Sequence, residues 1–143
     1  MKYHFKVHKE GSKYWAQCVE LQGCNTQGEN KDELFHNMKE ALNLFLDEPE
    51  DSKVILPSPK KSLKGKNLIQ VPVEPRIAWA SSLRNARLKR GMTQKEAANK
   101  LNIKNLYTYQ KLESSKTANP ELATIVKIKT AFPELDINEL ISA

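Results

Sequence analysis

The side chains best suited to chemistry in this sequence are polar and basic, and they gather in one C-terminal stretch. Lys104, Thr108 and Lys111 stand at positions i, i+4 and i+7, a spacing that places them on one face of a helix. Asn105 and Tyr107 lie near the N-terminal end of the same helix. Ammonium, hydroxyl and amide groups on one helical face can hydrogen-bond to base edges and phosphates. The stretch therefore indicates contact with a nucleic acid.

Two short helices joined by a tight turn are needed to present this face, and the sequence carries signals for both. The first of them is predicted to start after Thr93, because Thr93 and Glu96 form the capping-box pattern Thr-x-x-Glu. The second is predicted over about 105–114, with Tyr109 and Leu112 pointing into the core. This arrangement is that of a helix-turn-helix.

The rest of the C-terminal half is helical in its apolar spacing. The first helix is predicted from Ile77 and ends at Gly91, and further helices are expected at 121–131 and 137–141. We therefore expect an all-α, five-helix domain at 75–143.

The N-terminal half begins with alternating apolar and polar residues, the pattern of half-buried strands. This pattern predicts strands at 3–7 and 14–21, with a short third strand at 25–29. A fourth, at 68–73, contains Pro72 and fits an edge of the sheet. A small antiparallel sheet is expected.

One helix is expected to pack on this sheet, starting after Asn30, which can cap it, and ending near Leu46. The prolines between 47 and 66 exclude a continuous helix there, so the first domain is predicted to span 1–74. The fold class is therefore α+β. The apolar stripe of the helix consists of Leu34, Met38, Ala41, Leu42 and Phe45.

The charges are unevenly distributed along the chain. Residues 1–74 hold 11 Lys+Arg and 11 Asp+Glu, whereas 75–143 hold 12 and 6, which accounts for the whole net charge of +6. A basic half favours a polyanionic partner, although a solvated basic face has the same composition. The sequence contains neither a membrane-length apolar run nor an apolar leader, so a cytoplasmic location is expected.

Cysteines and histidines point to no metal or other cofactor. Cys18 and Cys24 stand six apart with no Cys-x-x-Cys partner and no histidine at ligand spacing. We interpret them as small, half-buried side chains without chemistry. His4 and His8 fall on the polar side of the first strand and His36 on the helix, so all three are expected at the surface.

The helix-turn-helix region resembles the phage-repressor, or XRE, family of DNA-binding domains over about 60 residues. The segments that carry this resemblance are 83–87 (Leu-Arg-x-Ala-Arg), 91–98 (Gly-Met-Thr-Gln-Lys-Glu-Ala-Ala), 112–113, 119–125 and 127–128.

The resemblance implies roles for individual residues. Gln94 would begin the second helix and touch DNA, and Arg87 would pair with Glu113 as a structural brace. Asn102 and Ser114 depart from the family because glycine is customary at both positions. Asn tolerates a left-handed backbone better than other non-glycine residues. The DNA-binding candidates are Gln94, Lys95, Lys104, Asn105, Tyr107, Thr108, Gln110 and Lys111.

The first domain resembles the HicB antitoxin family. The resemblance rests on the hairpin at 14–29, on Glu-Ala-Leu at 40–42, on Leu-Pro-Ser-Pro at 56–59 and on Ile-x-Val-Pro at 69–72. Such antitoxins pair a partial ribonuclease-H-like sheet and helix with a C-terminal DNA-binding domain.

This second resemblance implies an antitoxin with two functions. The first domain would bind a small HicA-type ribonuclease toxin and cover its active site. The second would repress the pair's own promoter. Because one recognition helix reads few base pairs, the protein is expected to bind an inverted-repeat operator as a homodimer or larger homo-oligomer. An alternative is a stand-alone XRE-type repressor whose first domain dimerises or binds an effector. The candidate toxin contacts are Glu20, Glu29, Asp32 and Glu33.

A ribonuclease-H-like outline also invites an enzymatic interpretation. Nuclease activity would need roughly three or four carboxylates gathered on strand ends to hold magnesium. The predicted strands supply Glu20 and Glu29, with Glu10 in a turn. No catalytic residues are therefore assigned, and the protein is not expected to be an enzyme.

Overall fold

The structure, a computed structural model, describes residues 1–142. These residues form two compact units, one made of Met1–Leu46 and Leu56–Glu74, the other of Asp47–Ile55 and Pro75–Ser142. The first contains a sheet and a helix and the second is helical, which confirms the predicted α+β class. One difference from the expected first domain is that the acidic segment Asp47–Ile55 groups with the second unit.

The first unit contains a four-stranded sheet in which every neighbouring pair of strands is antiparallel. The spatial order is β3-β2-β1-β4. Because β4 lies at an edge, Pro72 can end it without removing a hydrogen bond that an inner strand would need. The strands are β1 (Lys2–Glu10), β2 (Lys13–Cys18), β3 (Asn25–Gly28) and β4 (Leu68–Pro72).

One helix, α1 (Lys31–Leu46), completes this unit. The Asn30 side chain caps it, because its Oδ1 accepts a hydrogen bond of 2.8 Å from the backbone N–H of Glu33. Ala41 and Phe45, placed in the apolar stripe by the sequence, are half-buried. The fully buried face of the helix consists of Leu34, Met38, Leu42 and Leu46.

The expectation of three surface histidines is correct for His36 and wrong for the other two. His4 is 2% exposed, and its Nδ1 lies 2.8 Å from Oε2 of Glu20, which is also buried. His8 is half-buried and stacks on Trp15, which is directly opposite it across β1 and β2, with ring centroids 4.0 Å apart. The alternating pattern assigned the right face of β1 but could not indicate what covers that face.

The second unit contains five helices among the described residues, as the sequence predicted. The first of these helices begins at Pro75. Proline is suited to that position because it lacks an N–H group, and an N–H at the start of a helix has no partner within the helix. No helix in residues 1–142 is long and apolar enough to cross a membrane. The helices are α2 (Pro75–Lys89), α3 (Gln94–Lys100), α4 (Leu106–Leu112), α5 (Leu122–Ala131) and α6 (Ile137–Ile141).

Candidate nucleic-acid interface

The start of α3 is fixed by a reciprocal cap. Oγ1 of Thr93 accepts a hydrogen bond of 3.1 Å from the backbone N–H of Glu96, and the Glu96 carboxylate accepts one of 3.3 Å from the backbone N–H of Thr93. This capping box confirms the predicted helix start. Gln94 is consequently the first residue of α3, and its side chain is half-buried.

The turn between α3 and α4 depends on a left-handed residue. Asn102 has φ of 57°, which confirms the conformation predicted for it. Its backbone N–H donates to the carbonyl of Asn99 (3.0 Å), and the next N–H, of Ile103, donates to the carbonyl of Ala98 (2.9 Å). These bonds satisfy carbonyls at the end of α3 and reverse the chain toward α4.

Asn105 caps α4 rather than lying within it. Its backbone is extended, with φ of −95° and ψ of 116°, and its Oδ1 accepts a hydrogen bond of 2.8 Å from the backbone N–H of Tyr107. Lys104 therefore lies in the turn, before the helix begins. Its predicted helical spacing with Thr108 and Lys111 is wrong, because a spacing of four residues defines one face only inside a helix.

Helix α4 has one buried and one exposed face. Tyr109 is 0% and Leu112 is 8% exposed, which confirms their predicted place in the core. The ammonium group of Lys111 lies 5.1 Å from the ring centroid of Tyr107, so the two side chains support each other at the surface. Besides the apolar Leu106, which is 40% exposed, the exposed side chains of α4 are polar. These polar residues, which we call the α4 face, are Tyr107, Thr108, Gln110 and Lys111.

A side-chain contact joins α3 to the α4 face. The Gln110 amide nitrogen donates a hydrogen bond of 3.2 Å to the Gln94 amide oxygen. Lys95, which follows Gln94 on α3, and Lys104 in the turn are both exposed. The sequence-predicted candidates thus belong to three consecutive pieces of the chain: the first turn of α3, the turn after it, and α4.

Below this surface, Glu113 holds the helices together. Its carboxylate accepts hydrogen bonds from Nε and Nη2 of Arg87, at 2.7 and 2.9 Å, and another from the Tyr109 hydroxyl. Arg87 also donates to the carbonyl of Met92 (2.9 Å), just before α3. This buried ion pair ties α2, the start of α3 and the end of α4 to one another.

Burial and charge determine the ionisation of this cluster. Burial, followed by the negative charge of Glu113, raises the pKa of Tyr109 well above its ordinary value. Burial disfavours the charged form of Arg87, but its hydrogen bonds and ion pair with Glu113 raise the pKa of the guanidinium. Tyr109 therefore acts as a neutral donor and Arg87 as a cation at ordinary pH.

Arg84 is a further member of the cluster to which sequence reasoning gave no role. Its side chain is 4% exposed, and Nη2 donates a hydrogen bond of 3.1 Å to the backbone carbonyl of Glu113. A signal was present, since Arg84 and Arg87 stand three apart and therefore share one side of α2.

The acidic candidates of the first unit divide into two groups. Glu29, Asp32 and Glu33 are exposed around the end of β3 and the start of α1. Glu20, in contrast, is 8% exposed, and its carboxylate accepts hydrogen bonds from the backbone N–H groups of His4 and Lys60, both at 3.0 Å. The assignment of Glu20 as a surface contact is therefore wrong, because its oxygens are occupied inside the unit.

Comparison with known families agrees with the geometry of the second unit. Residues 83–140 match a model of the helix-turn-helix family. The second unit therefore carries a helix-turn-helix domain. No curated protein matches the chain.

In a helix-turn-helix domain, the second helix of the motif enters the major groove, and the first helix crosses the DNA backbone. Here α3 is the first helix of the motif and α4 is the second. The α4 face offers hydroxyl, amide and ammonium groups, which can donate to base edges or phosphates. The domain thus has both the shape and the donors that binding to duplex DNA requires.

Proposed function

We propose that this protein is a transcription regulator that recognises a specific DNA sequence through the α4 face. The observation that carries this proposal is the exposure of Tyr107, Thr108, Gln110 and Lys111 on a short helix whose other face is buried. Thr108 and Gln110 would read base edges, whereas Lys111 would contact phosphate. Gln94, Lys95, Lys104 and Asn105 would flank this contact.

Binding to the DNA upstream of the protein's own gene tests the proposal directly. The test variant combines Thr108→Ala and Lys111→Ala on the α4 face with Asn105→Ser at the residue that caps α4, and we call it the α4-face variant. Serine at 105 keeps a capping oxygen, so the helix start is preserved while the longer amide is removed. We expect the variant to lose specific binding in fluorescence anisotropy while its thermal unfolding changes little.

The matched control is Lys64→Ala, which removes an exposed lysine of the first unit. It should bind the same DNA as the wild type does. Unchanged binding by the α4-face variant would overturn the assignment of α4. A general loss of binding with both variants would mean that net charge, and not the α4 face, determines affinity.

Single substitutions separate the two kinds of contact. Lys111→Ala should weaken binding to all sequences alike and lower the salt-dependence slope by about 1, because one phosphate contact is lost. Thr108→Ala should instead reduce the preference for the operator over unrelated DNA. Equal salt slopes for Lys111→Ala and the wild type would contradict the phosphate contact.

The protein is expected to bind as a dimer or larger homo-oligomer. One recognition helix reads few base pairs, and two copies double the contacts when half-sites lie about 34–36 Å apart. The operator should accordingly be an inverted repeat. Sedimentation of the protein with and without this DNA would measure the stoichiometry.

We further propose that the protein is an antitoxin of the HicB type, which neutralises a HicA-type ribonuclease. The support for this is the sequence pattern of the first unit at 14–29, 40–42 and 56–59. Glu29, Asp32 and Glu33 supply an exposed acidic surface that would complement a basic, RNA-binding toxin.

Toxin inhibition by the full-length protein tests this second proposal. The ribonuclease activity of the small protein encoded beside this gene would be measured with and without the antitoxin. A charge-reversed variant, Asp32→Lys with Glu33→Lys, should inhibit less, while Glu40→Lys, also exposed on α1, should not differ from the wild type. If no adjacent gene encodes such a ribonuclease, a stand-alone repressor becomes the better description.

A further inference from the structure

Two cysteines face each other at the end of the β2–β3 ladder. The register of this antiparallel pair sets Gln17 opposite Asn25, so the next residues along, Cys18 and Cys24, are also directly opposed. The backbone N–H of Cys18 donates a hydrogen bond of 2.9 Å to the carbonyl of Cys24, which closes the ladder at this point. The turn formed by 19–23 connects them.

Directly opposed residues of an antiparallel pair project their side chains from the same face of the sheet. Their Cα atoms lie about 4.5–5.5 Å apart, which is inside the range of about 4.4–6.8 Å that disulfides span. Cys18 and Cys24 are both free thiols and both buried. A bond between the sulfurs would therefore require little backbone movement.

The surroundings of Cys18 favour its thiolate. A hydrogen bond from Cys24 lowers the pKa of Cys18, and backbone hydrogen bonds from Leu21 and Glu20 act in the same direction against burial. The thiolate is the reactive form of cysteine.

We propose that Cys18 and Cys24 form a reversible dithiol–disulfide site that a peroxide oxidises. The Cys18 thiolate attacks one peroxide oxygen, the O–O bond breaks, and with one proton the products are a Cys18 sulfenic acid and water. The Cys24 sulfur then attacks the Cys18 sulfur, and the departing hydroxide takes the Cys24 proton as a second water. Two electrons pass from the sulfurs to the peroxide, and a dithiol reductant reverses the change.

Oxidation would act on the turn that contains Glu20. The disulfide closes a ring through 18–24 and changes the charge and position of the Cys18 sulfur, which lies 3.9 Å from a Glu20 carboxylate oxygen. Glu20 in turn holds the backbone N–H groups of His4 and Lys60. The oxidation state is thereby linked to the contacts that hold the segment around Lys60 on the first unit.

The test uses the reduced, full-length wild type treated with hydrogen peroxide, followed by alkylation under denaturing conditions and mass spectrometry. We expect a monomer two hydrogens lighter that takes up no alkylating agent, and a peptide map that links Cys18 to Cys24. Dithiothreitol should restore both thiols. Two thiols that remain free, a disulfide between two chains, or oxidation to sulfinic or sulfonic acid would each overturn the proposal.

Two serine variants assign the order of the steps. Cys24→Ser leaves the attacking thiol without its partner, so a sulfenic acid should accumulate on Cys18 and be trapped by dimedone. Cys18→Ser should give less dimedone adduct at Cys24. The contact with the Cys18 side chain, the larger cause of the raised pKa of Cys24 in the native protein, is lost in this variant, but burial still raises that pKa. Equal amounts of dimedone adduct in the two variants would contradict the assignment of Cys18 as the cysteine that reacts first with peroxide.

Discussion

At the scale of single residues, Glu113 connects three other side chains of the second unit. It is 2% exposed and accepts hydrogen bonds from Arg87 and Tyr109, while its backbone carbonyl accepts one from Arg84. A buried carboxylate is tolerated when its oxygens are paired in this way. The cluster therefore positions α4 from behind, opposite the face proposed to meet DNA.

Loss of this charge should be costly. Glu113→Gln leaves the Arg87 guanidinium buried without its counter-ion, and breaking such a pair costs about 3–5 kcal/mol of unfolding free energy. Urea unfolding followed by circular dichroism measures the change.

The matched control is Glu134→Gln, which breaks the more exposed ion pair between Arg90 and Glu134. Exposed pairs contribute about 0–1 kcal/mol, so this variant should be nearly as stable as the wild type. Similar losses for the two variants would contradict the role assigned to Glu113.

Alkaline pH should destabilise the second unit through Tyr109. Its pKa is raised in the folded state, so the unfolded state releases the phenol proton first, and stability is lost as pH rises through about 10. The loss is about 1.4 kcal/mol per pH unit above that point. Tyr109→Phe removes this group, and its unfolding free energy should fall less steeply between pH 9 and 11. Parallel curves for both proteins would show that Tyr109 does not contribute.

At the scale of elements, local signals predicted helix boundaries well. Asn30 and Thr93 cap their helices as the sequence indicates, because a cap involves residues at most about three positions apart. The helical position predicted for Lys104 was wrong, because Asn105 caps α4 and Lys104 therefore precedes the helix.

Local sequence patterns could not predict which polar residues are buried. Glu20 accepts a hydrogen bond from Lys60, forty positions away, and it lies against His4, sixteen positions away. Periodicity assigns His4 to the face opposite Phe5 but carries no information on which distant segment covers that face. The cysteines were interpreted as inert for the same reason, because their opposition depends on the register of β2 and β3.

The turn of the helix-turn-helix provides a test at this scale. Asn102 has φ of 57°, where an ordinary residue with a Cβ costs about 1–2 kcal/mol. Asn102→Ala should therefore lower the unfolding free energy by about 1 kcal/mol, whereas Asn102→Gly should leave it unchanged or raised. Thermal unfolding compares the two variants. Equal stability of the alanine and glycine variants would show that the left-handed conformation is not under strain.

At the scale of the whole molecule, the charge balance changes when it is counted by compact unit. The segment Asp47–Ile55 brings four acidic residues and one lysine to the second unit. The first unit then holds 10 Lys+Arg and 7 Asp+Glu, and the second holds 13 and 10. Both units are basic, so division of the sequence at Glu74 overstated the contrast. The positive charge that can interact with DNA depends on which side chains face the DNA, and not on the net charge of a unit.

Two separable functions are expected of the full-length protein. The α4-face variant should inhibit the toxin's ribonuclease activity as well as the wild type does, because its substitutions lie in the second unit. The Asp32→Lys, Glu33→Lys variant should bind the operator normally while inhibiting the toxin less. A loss of both activities in either variant would show that the functions are not separable.

The central claim, that the α4 face reads a DNA sequence, is tested most directly by selection from a randomised library of duplex DNA. Repeated rounds of binding and sequencing identify the preferred site without assuming any operator sequence. The wild type should enrich an inverted repeat whose half-sites are about one helical turn apart, and the α4-face variant should enrich no shared sequence. If the wild type enriches nothing, or if the variant enriches the same repeat, the α4 face is not the element that reads DNA.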